Sequence, residues 1–207
     1  MSFLCVRVDL DYVPWDTPDA AQFGHGEPAM VLRLLDLARR TGVRWHFFAS
    51  ERALRAFPAE ADAVLNDGHD LDYLAKHPAE KGRWDEAQRL FAAVGHKARG
   101  WAIRVPWPMG LEAPNGVGFF SGPGDADPPA RLFPTTGPSL HDASRAGVGL
   151  RGWLDTTLPE ALDRGGTLVV SPQVLARVDP RLTGLEEVLR EARGAGMALR
   201  TLREEAG

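Results

Sequence analysis

The stretch Phe3-Leu4-Cys5-Val6-Arg7-Val8-Asp9-Leu10-Asp11 predicts a buried strand over residues 3–8 that is followed at once by two carboxylates. Apolar side chains dominate the strand, which is typical of central strands in parallel sheets. In parallel α/β architectures the loops after the strands build the functional site, so Asp9 and Asp11 occupy a promising position. Side-chain alternation sends both carboxylates to the same face, and a cation or an arginine must offset their repulsion. The alternative is that Asp11 merely caps the following loop.

Strand-like and helix-like segments alternate from this stretch to the end of the chain, which is the pattern of βα units and a mainly parallel sheet. The sequence therefore predicts one α/β barrel-like domain over residues 1–207. Helices are expected from Pro28 to Gly42, from Ser50 to about residue 65, from Pro78 to Gly95, over 150–163, and from a capping-box spacing at Thr183. The later strands are expected at 43–48, 69–71, 99–105, 117–120, 131–133, 167–170 and 197–202.

The composition is that of an ordinary soluble globule, with 44% hydrophobic residues, 25% charged residues and a net charge of -4. Basic residues are scattered among acidic ones, so no nucleic-acid partner is expected. The N-terminus lacks the pattern of a signal peptide, and no apolar run is long enough to span a bilayer, so we expect a cytoplasmic protein without a membrane span. The lone Cys5 is expected to be a small buried hydrophobe.

A second polar cluster, at residues 68–78, follows the third predicted strand and contains histidines and carboxylates, the usual ligands of zinc. The structural alternative is that His77 caps the start of the helix at Pro78 and that His69 packs within the sheet. A third cluster, at residues 99–107, places Arg104 near the end of a strand and beside Trp107. Arg104 could hold a carboxylate by a bidentate pair or form a simple structural ion pair.

In this order the clusters resemble the motifs of the polysaccharide deacetylase superfamily, also called the NodB or carbohydrate esterase 4 group. Asp9-Leu10-Asp11 is similar to its opening Asp-x-Asp element, and Phe47-Phe48 to its paired phenylalanines. Gly68-His69-Asp70-Leu71 with His77-Pro78 is similar to its Gly-His-Glu-Ile and His-x-x-x-His-Pro motif. The stretch from Trp101 to Trp107 resembles its Gly-Phe-Arg-x-Pro motif with two additional residues before Arg104. Residues 133–142 resemble a segment of the formamido-arabinose lipid deformylases, which points to that branch.

The resemblance implies a distorted (β/α) barrel of about seven strands and attack on an amide by water bound to a divalent metal, with zinc as the expected ion. Asp9 would act as the base, Arg104 would keep Asp9 ionised, and Asp11 and His77 would bind the metal. Two family positions differ, because Tyr73 stands where the first metal histidine is expected and Ser171 where the proton-donating histidine is expected.

The resemblance leaves the third metal ligand and the proton donor open. Asp72 or His69 could replace the missing ligand, and His141 could supply the proton. The side chains expected around the substrate are Tyr73, Trp107, His141, Asp142 and Ser171.

Two functions of different classes follow. The first is a metal-dependent hydrolase that removes an acetyl or formyl group from an N-acylated sugar or a similar small amide. The second is an inactive homologue that binds a carbohydrate or a partner through Trp15, Trp101 and Trp107. Asp9, Asp11, His77 and Arg104 favour the hydrolase, while Tyr73 and Ser171 favour the binding protein. In either case the expected ligand is a small molecule or a carbohydrate.

Overall fold

The structure is a computed structural model that describes residues 2–11, 27–75, 83–105, 112–124 and 131–207. The strands are β1 (Phe3–Leu10), β2 (His46–Ala49), β3 (Asp70–Leu74), β4 (Gly100–Ala102), β5 (Phe119–Gly122), β6 (Arg131–Pro134), β7 (Gly166–Val170) and β8 (Ala198–Leu199). The helices are α1 (Glu27–Thr41), α2 (Glu51–Ala56), α3 (Pro58–Asn66), α4 (Trp84–Ala93), α5 (Leu140–Arg145), α6 (Leu150–Arg164), α7 (Pro172–Val178), α8 (Thr183–Gly194) and α9 (Leu202–Ala206).

The strands form a nearly closed barrel in the order β6-β5-β4-β3-β2-β1-β7, and β8 pairs with the start of β1. All registered strand pairs are parallel. A single parallel bridge between Thr135, next to β6, and Thr167 in β7 joins the two ends of the order. The predicted α/β barrel of about seven strands is confirmed, and its parallel strands direct their carboxyl ends to one rim, where ligands bind in such folds.

Alternation along the strands divides the core into an outer and an inner part. The outer part packs the sheet against the helices and contains even-numbered residues of β1 such as Leu4, Val6 and Val8. The inner part fills the barrel interior with a separate group of apolar side chains, namely Cys5, Phe48, Leu74, Ala102, Phe119, Phe133 and Leu202. Because these inner side chains are apolar, charged groups inside the barrel must pair with one another.

Gly100 sits where the interior has no room for a side chain. A Cβ built there would overlap the ring of Phe119 and lie 3.0 Å from Oδ2 of Asp72. We expect Gly100→Ala to lower the free energy of unfolding by about 1–3 kcal/mol, as overpacked cores do. The matched control is Gly194→Ala at the end of α8, where nothing lies within 4 Å of the added Cβ. Urea unfolding of both variants checks this, and an unchanged Gly100→Ala midpoint would contradict it.

Several element boundaries differ from the sequence prediction for local reasons. The helix expected over 50–65 is divided between α2 and α3 at Phe57, because Pro58 begins a new helix and lacks the N–H that would continue the first. The expected capping box at Thr183 is replaced by Asp179, whose Oδ2 accepts the N–H groups of Gly184 and Leu185 at 3.0 and 3.1 Å. The short helices α5, α7 and α9 were not predicted. Among the described helices, none has the length and apolarity needed to cross a bilayer.

Candidate active site

Asp9, the penultimate residue of β1, is held by an arginine of the same strand. The Arg7 Nε atom donates to Asp9 Oδ1 at 2.7 Å, and Arg7 Nη2 donates to Asp9 Oδ2 at 2.9 Å. Both side chains are buried, with 1% and 2% exposure. Arg7 Nη1 also donates to the carbonyl oxygen and the Oγ of Ser121 in β5, at 3.0 and 3.1 Å. Arg7 thus fixes the Asp9 carboxylate and ties β1 to β5 through the barrel interior.

Arg104, two residues past β4, joins Asp9 to Asp11 from the other side. Its Nε lies 3.5 Å from Asp9 Oδ2, and its Nη1 lies 3.3 Å from Asp11 Oδ2. Burial alone would lower the pKa of the Arg104 guanidinium, but the charges of Asp9 and Asp11 raise it above its ordinary value. The structure therefore brings three predicted site residues together at the carboxyl rim of the barrel, with both carboxylates on one face.

The Arg104 side chain lines a pocket, whose volume together with its open mouth is about 670 Å³. Arg7 and Asp142 also line it, and the rest of its wall is formed by Ile103, Pro123, Gly124, Thr135, Gly137, Pro138, Ser139 and Val169. Asp142 lies in the first turn of α5, where its Oδ2 accepts the Ser139 hydroxyl at 2.6 Å and its N–H donates to Ser139 Oγ at 3.1 Å. The charge of Asp142 also raises the pKa of Arg104. We call this space the Arg104 pocket.

His141 and Ser171 lie close to the same rim. His141 is a buried residue of α5, next to Asp142. Ser171 directly follows β7, is 4% exposed, and accepts the N–H of Leu175 with its carbonyl oxygen at the start of α7. Since Val8 registers with Val170, the next position places Ser171 beside Asp9. A hydroxyl therefore stands next to Asp9 where the family resemblance predicts an imidazole.

Asp11 also borders a second, polar pocket of about 450 Å³ that lies toward β2 and β3. Tyr73 lines it with its hydroxyl, which donates to Glu51 Oε1 at 3.2 Å. The Tyr73 ring, however, packs in the outer layer, with centroids 5.9 Å from Trp84 and 5.8 Å from Trp101. The β3 side chain that faces the barrel interior at this end is Leu74. The side chain of Leu74 offers no metal ligand there.

Asp72, predicted as a possible third metal ligand, has a carboxylate that is already engaged by a different set of partners. Its Oδ1 accepts the N–H groups of Arg99 and Gly100 at 2.6 and 2.9 Å and Arg203 Nη2 at 2.7 Å. Its Oδ2 accepts Arg203 Nε and lies against His46 Nε2, both at 2.9 Å. Arg203 belongs to α9, so the Asp72 carboxylate is held by the last helix of the chain and not by the groups around Asp11.

The same partners make Asp72 a source of acid sensitivity. Burial alone would raise the pKa of Asp72, but hydrogen bonds from Arg203 and His46 lower it from 3.8 to about 2. A depressed carboxyl pKa stabilises the fold above about pH 4, and this contribution is lost as the pH falls toward 2. Between pH 4 and pH 2 we expect the free energy of unfolding of the wild type to fall by about 2 kcal/mol more than that of Asp72→Asn. Urea unfolding at both pH values measures this difference. Equal losses would contradict the assignment.

His69, the other possible third ligand in the sequence prediction, lies within the sheet and away from Asp11. Its Nδ1 accepts the N–H of Trp45 at 3.2 Å, and burial lowers its pKa. The strand register places it five positions before Leu74, the residue level with Asp11, which corresponds to about 16 Å along the strands. These contacts correspond to the alternative interpretation, in which His69 packs within the sheet.

Trp101, offered as a ligand-binding residue of an inactive homologue, is 0% exposed. Its ring stacks on Trp84 at 5.8 Å in the outer layer, so it cannot contact a ligand in the barrel mouth. The predicted residues His77, Trp15 and Trp107 lie outside the described part of the chain.

The described residues do not fit a zinc site by themselves. Within residues 2–11, 27–75, 83–105, 112–124 and 131–207, no three histidine, cysteine, aspartate or glutamate side chains are placed to hold one ion. Catalytic zinc sites usually have three protein ligands and one open position. Among the described residues that were predicted as ligands, Asp11 alone lies at the active rim, and it contacts Arg104.

Sequence reasoning missed Arg7 and Ser139. Arg7 had a readable signal, since a charged residue within an apolar strand must find a partner when it is buried, and Asp9 stands two residues away on the same face. Ser139 had a weaker signal as the N-cap residue of a helix too short to be recognised from periodicity.

Comparison with known proteins shows the fold. No family model and no curated protein sequence matches the chain. Among solved structures, it is similar to a putative polysaccharide deacetylase from Mycobacterium smegmatis, with a TM-score of 0.69 and 17% identity over 99% of this chain and 89% of that one. A probable polysaccharide deacetylase from Pseudomonas aeruginosa PAO1 gives a TM-score of 0.65 and 16% identity over 98% and 89% of the chains. A carbohydrate esterase 4 family pseudoenzyme from Bacillus anthracis gives 0.58 and 11% over 100% and 66%. The chain therefore has the polysaccharide deacetylase fold, which active and inactive proteins share.

Proposed function

We propose that this protein is a deacetylase-like hydrolase that removes an acetyl or formyl group from an N-acylated sugar or a similar small amide. The observation that carries the proposal is the contact of Arg104 with both Asp9 and Asp11 at the carboxyl rim, where Arg104 itself lines an open pocket. In barrels of this kind, that rim is where reactions take place. The similarity of the fold to polysaccharide deacetylases supports the proposed reaction class.

Amide hydrolysis needs a base for the attacking water, a donor for the negative charge that develops on the carbonyl oxygen, and a proton for the departing amine. Asp9 is the proposed base. Arg104 is the proposed donor, because its Nη2 makes no hydrogen bond to the described residues and its side chain lines the pocket. Ser171 cannot replace an imidazole as a proton donor near neutrality, so we assign that step to His141 of α5.

The sugar part of the substrate is proposed to lie in the Arg104 pocket. Several side chains and backbone segments of its wall come from residues 135–142, within the stretch that resembles the formamido-arabinose lipid deformylases. Ser139 and Asp142 place a hydroxyl and a carboxylate there, which are suitable partners for sugar hydroxyl groups. N-formyl sugars are therefore tested beside N-acetyl sugars.

Activity assays with isosteric variants test the proposal. We expect release of free amine from N-acetyl or N-formyl sugars to fall about 10²- to 10⁴-fold in Asp9→Asn, because general-base catalysis contributes that much. The control is Asp163→Asn, whose side chain is 78% exposed on α6. Assays with chelator, zinc or cobalt show whether an ion is needed. Wild-type protein that releases no amine from either substrate class under any of these conditions would overturn the hydrolase proposal.

A second candidate, a non-catalytic carbohydrate-binding homologue, is favoured by one specific feature. Both oxygens of Asp9 accept hydrogen bonds from Arg7, which leaves fewer lone pairs free to accept a proton from an attacking water. Tyr73 and Ser171 add to this reading, because they stand where the family resemblance predicts a metal ligand and a proton donor. This candidate predicts saturable sugar binding, lost in Asp142→Ala and measured by calorimetry, together with unchanged substrate after prolonged incubation.

A further inference from the structure

We infer that two guanidinium groups, and not a divalent cation, balance the Asp9–Asp11 carboxylate pair in this protein. Two carboxylates sharing one small space repel each other unless positive charge is placed beside them. The structure shows where that positive charge comes from. Arg7 contacts both oxygens of Asp9 at 2.7 and 2.9 Å, and Arg104 reaches Asp9 and Asp11 at 3.5 and 3.3 Å.

Asp9, Asp11, Arg7 and Arg104 together contribute two negative and two positive side chains. Asp9 and Arg7 are almost wholly inaccessible, and the Arg104 side chain is 21% exposed. A buried ion pair is favourable only when each charge has its partner at close range. A divalent cation bound to Asp11 would add two positive charges next to Arg104, which would leave an uncompensated excess in a partly buried site.

The neighbouring strands do not supply the ligands that could offset this excess. At the carboxyl end of β3 the inward side chain is Leu74, and next to β7 the residue beside Asp9 is Ser171. Asp72 and His69 are engaged elsewhere in the fold. At these two neighbouring strand ends the carboxylate pair thus meets one apolar and one hydroxyl side chain, a set that disfavours a divalent ion.

The inference follows from the ion-pair geometry and does not depend on hydrolysis. If the protein is a hydrolase, Arg104 rather than an ion stabilises the developing negative charge, and turnover persists in chelator. If it is a binding protein, the same charge balance keeps the pocket intact without an ion. Direct measurement of metal binding therefore tests the inference separately from the proposed function.

The experiment is a zinc titration of the full chain against a chromogenic chelator, with metal content measured after desalting. We expect well under one equivalent of zinc on the wild type. Removing the charge beside Asp11 in Arg104→Gln should raise zinc affinity at least about tenfold, and Asp11→Asn added to it should abolish the gain. Arg104→Lys, which keeps a positive charge, is the matched control and should stay close to the wild type.

Two outcomes overturn the inference. The first is a wild type that retains one equivalent of zinc and loses it in Asp11→Asn or His77→Ala. The second is a folded Arg104→Gln variant that binds zinc no better than the wild type. The wild-type titration decides the first outcome even if the Arg104 variants fail to fold.

Discussion

Replacement of Asp72 by alanine is expected to lower the free energy of unfolding by about 3–5 kcal/mol, the loss that follows when one member of a buried ion pair is removed. The Arg203 guanidinium would lose its carboxylate partner, and the N–H groups of Arg99 and Gly100 would lose their shared acceptor. The expected loss is large because the Asp72 side chain is fully buried. Urea unfolding monitored by tryptophan fluorescence measures it.

The same experiment includes two comparison variants. Asp72→Asn keeps an oxygen for the backbone donors and should lose less than alanine, because only the charge is removed. Asp163→Ala, at an exposed position of α6, should change stability by no more than about 0.5 kcal/mol. If Asp72→Ala proves as stable as Asp163→Ala, Asp72 is not the residue that joins α9 to the base of the barrel.

Replacement of Arg7 by methionine is expected to cost a similar 3–5 kcal/mol, since Asp9 would remain buried without its bidentate partner. Asp9→Leu alone should be comparably destabilising, because it leaves the Arg7 charge uncompensated. The double variant Arg7→Met/Asp9→Leu removes both charges, and Arg104 still has Asp11 beside it. Its loss should be smaller than the sum of the single losses by about 2–3 kcal/mol.

The double-mutant cycle separates a true ion pair from two independent packing effects. Additivity within about 0.5 kcal/mol would mean that Arg7 and Asp9 do not stabilise each other. Arg190→Met on the exposed face of α8 is the matched control for loss of an arginine, and it should leave stability nearly unchanged. All variants are compared at the same pH because the stability of the protein at acid pH depends on Asp72.

The sequence predicted part of the site from local patterns at the ends of strands, and residues whose partners are distant in the chain were not predicted. Asp9 and Asp11 could be placed because strand alternation and the end of an apolar run are local signals. The partners of Asp72 were not predicted, since the third strand was expected at residues 69–71, whereas β3 continues to Leu74. That extension puts Asp72 within the strand instead of after it, and its side chain meets Arg203 from the far end of the chain.

What the sequence alone determined is the barrel and the rim that carries the candidate site. Alternating βα patterns specify a parallel sheet, and the change from apolar residues to Asp9 and Asp11 marks the carboxyl end of its first strand. Only the tertiary structure decided which charges meet. Arg7 donates a hydrogen bond to Ser121, which lies 114 positions later in the chain, and Asp72 accepts one from Arg203, which lies 131 positions later. The reason is physical: a local pattern encodes which face of a strand is buried, but the closure of the barrel decides what lies opposite that face.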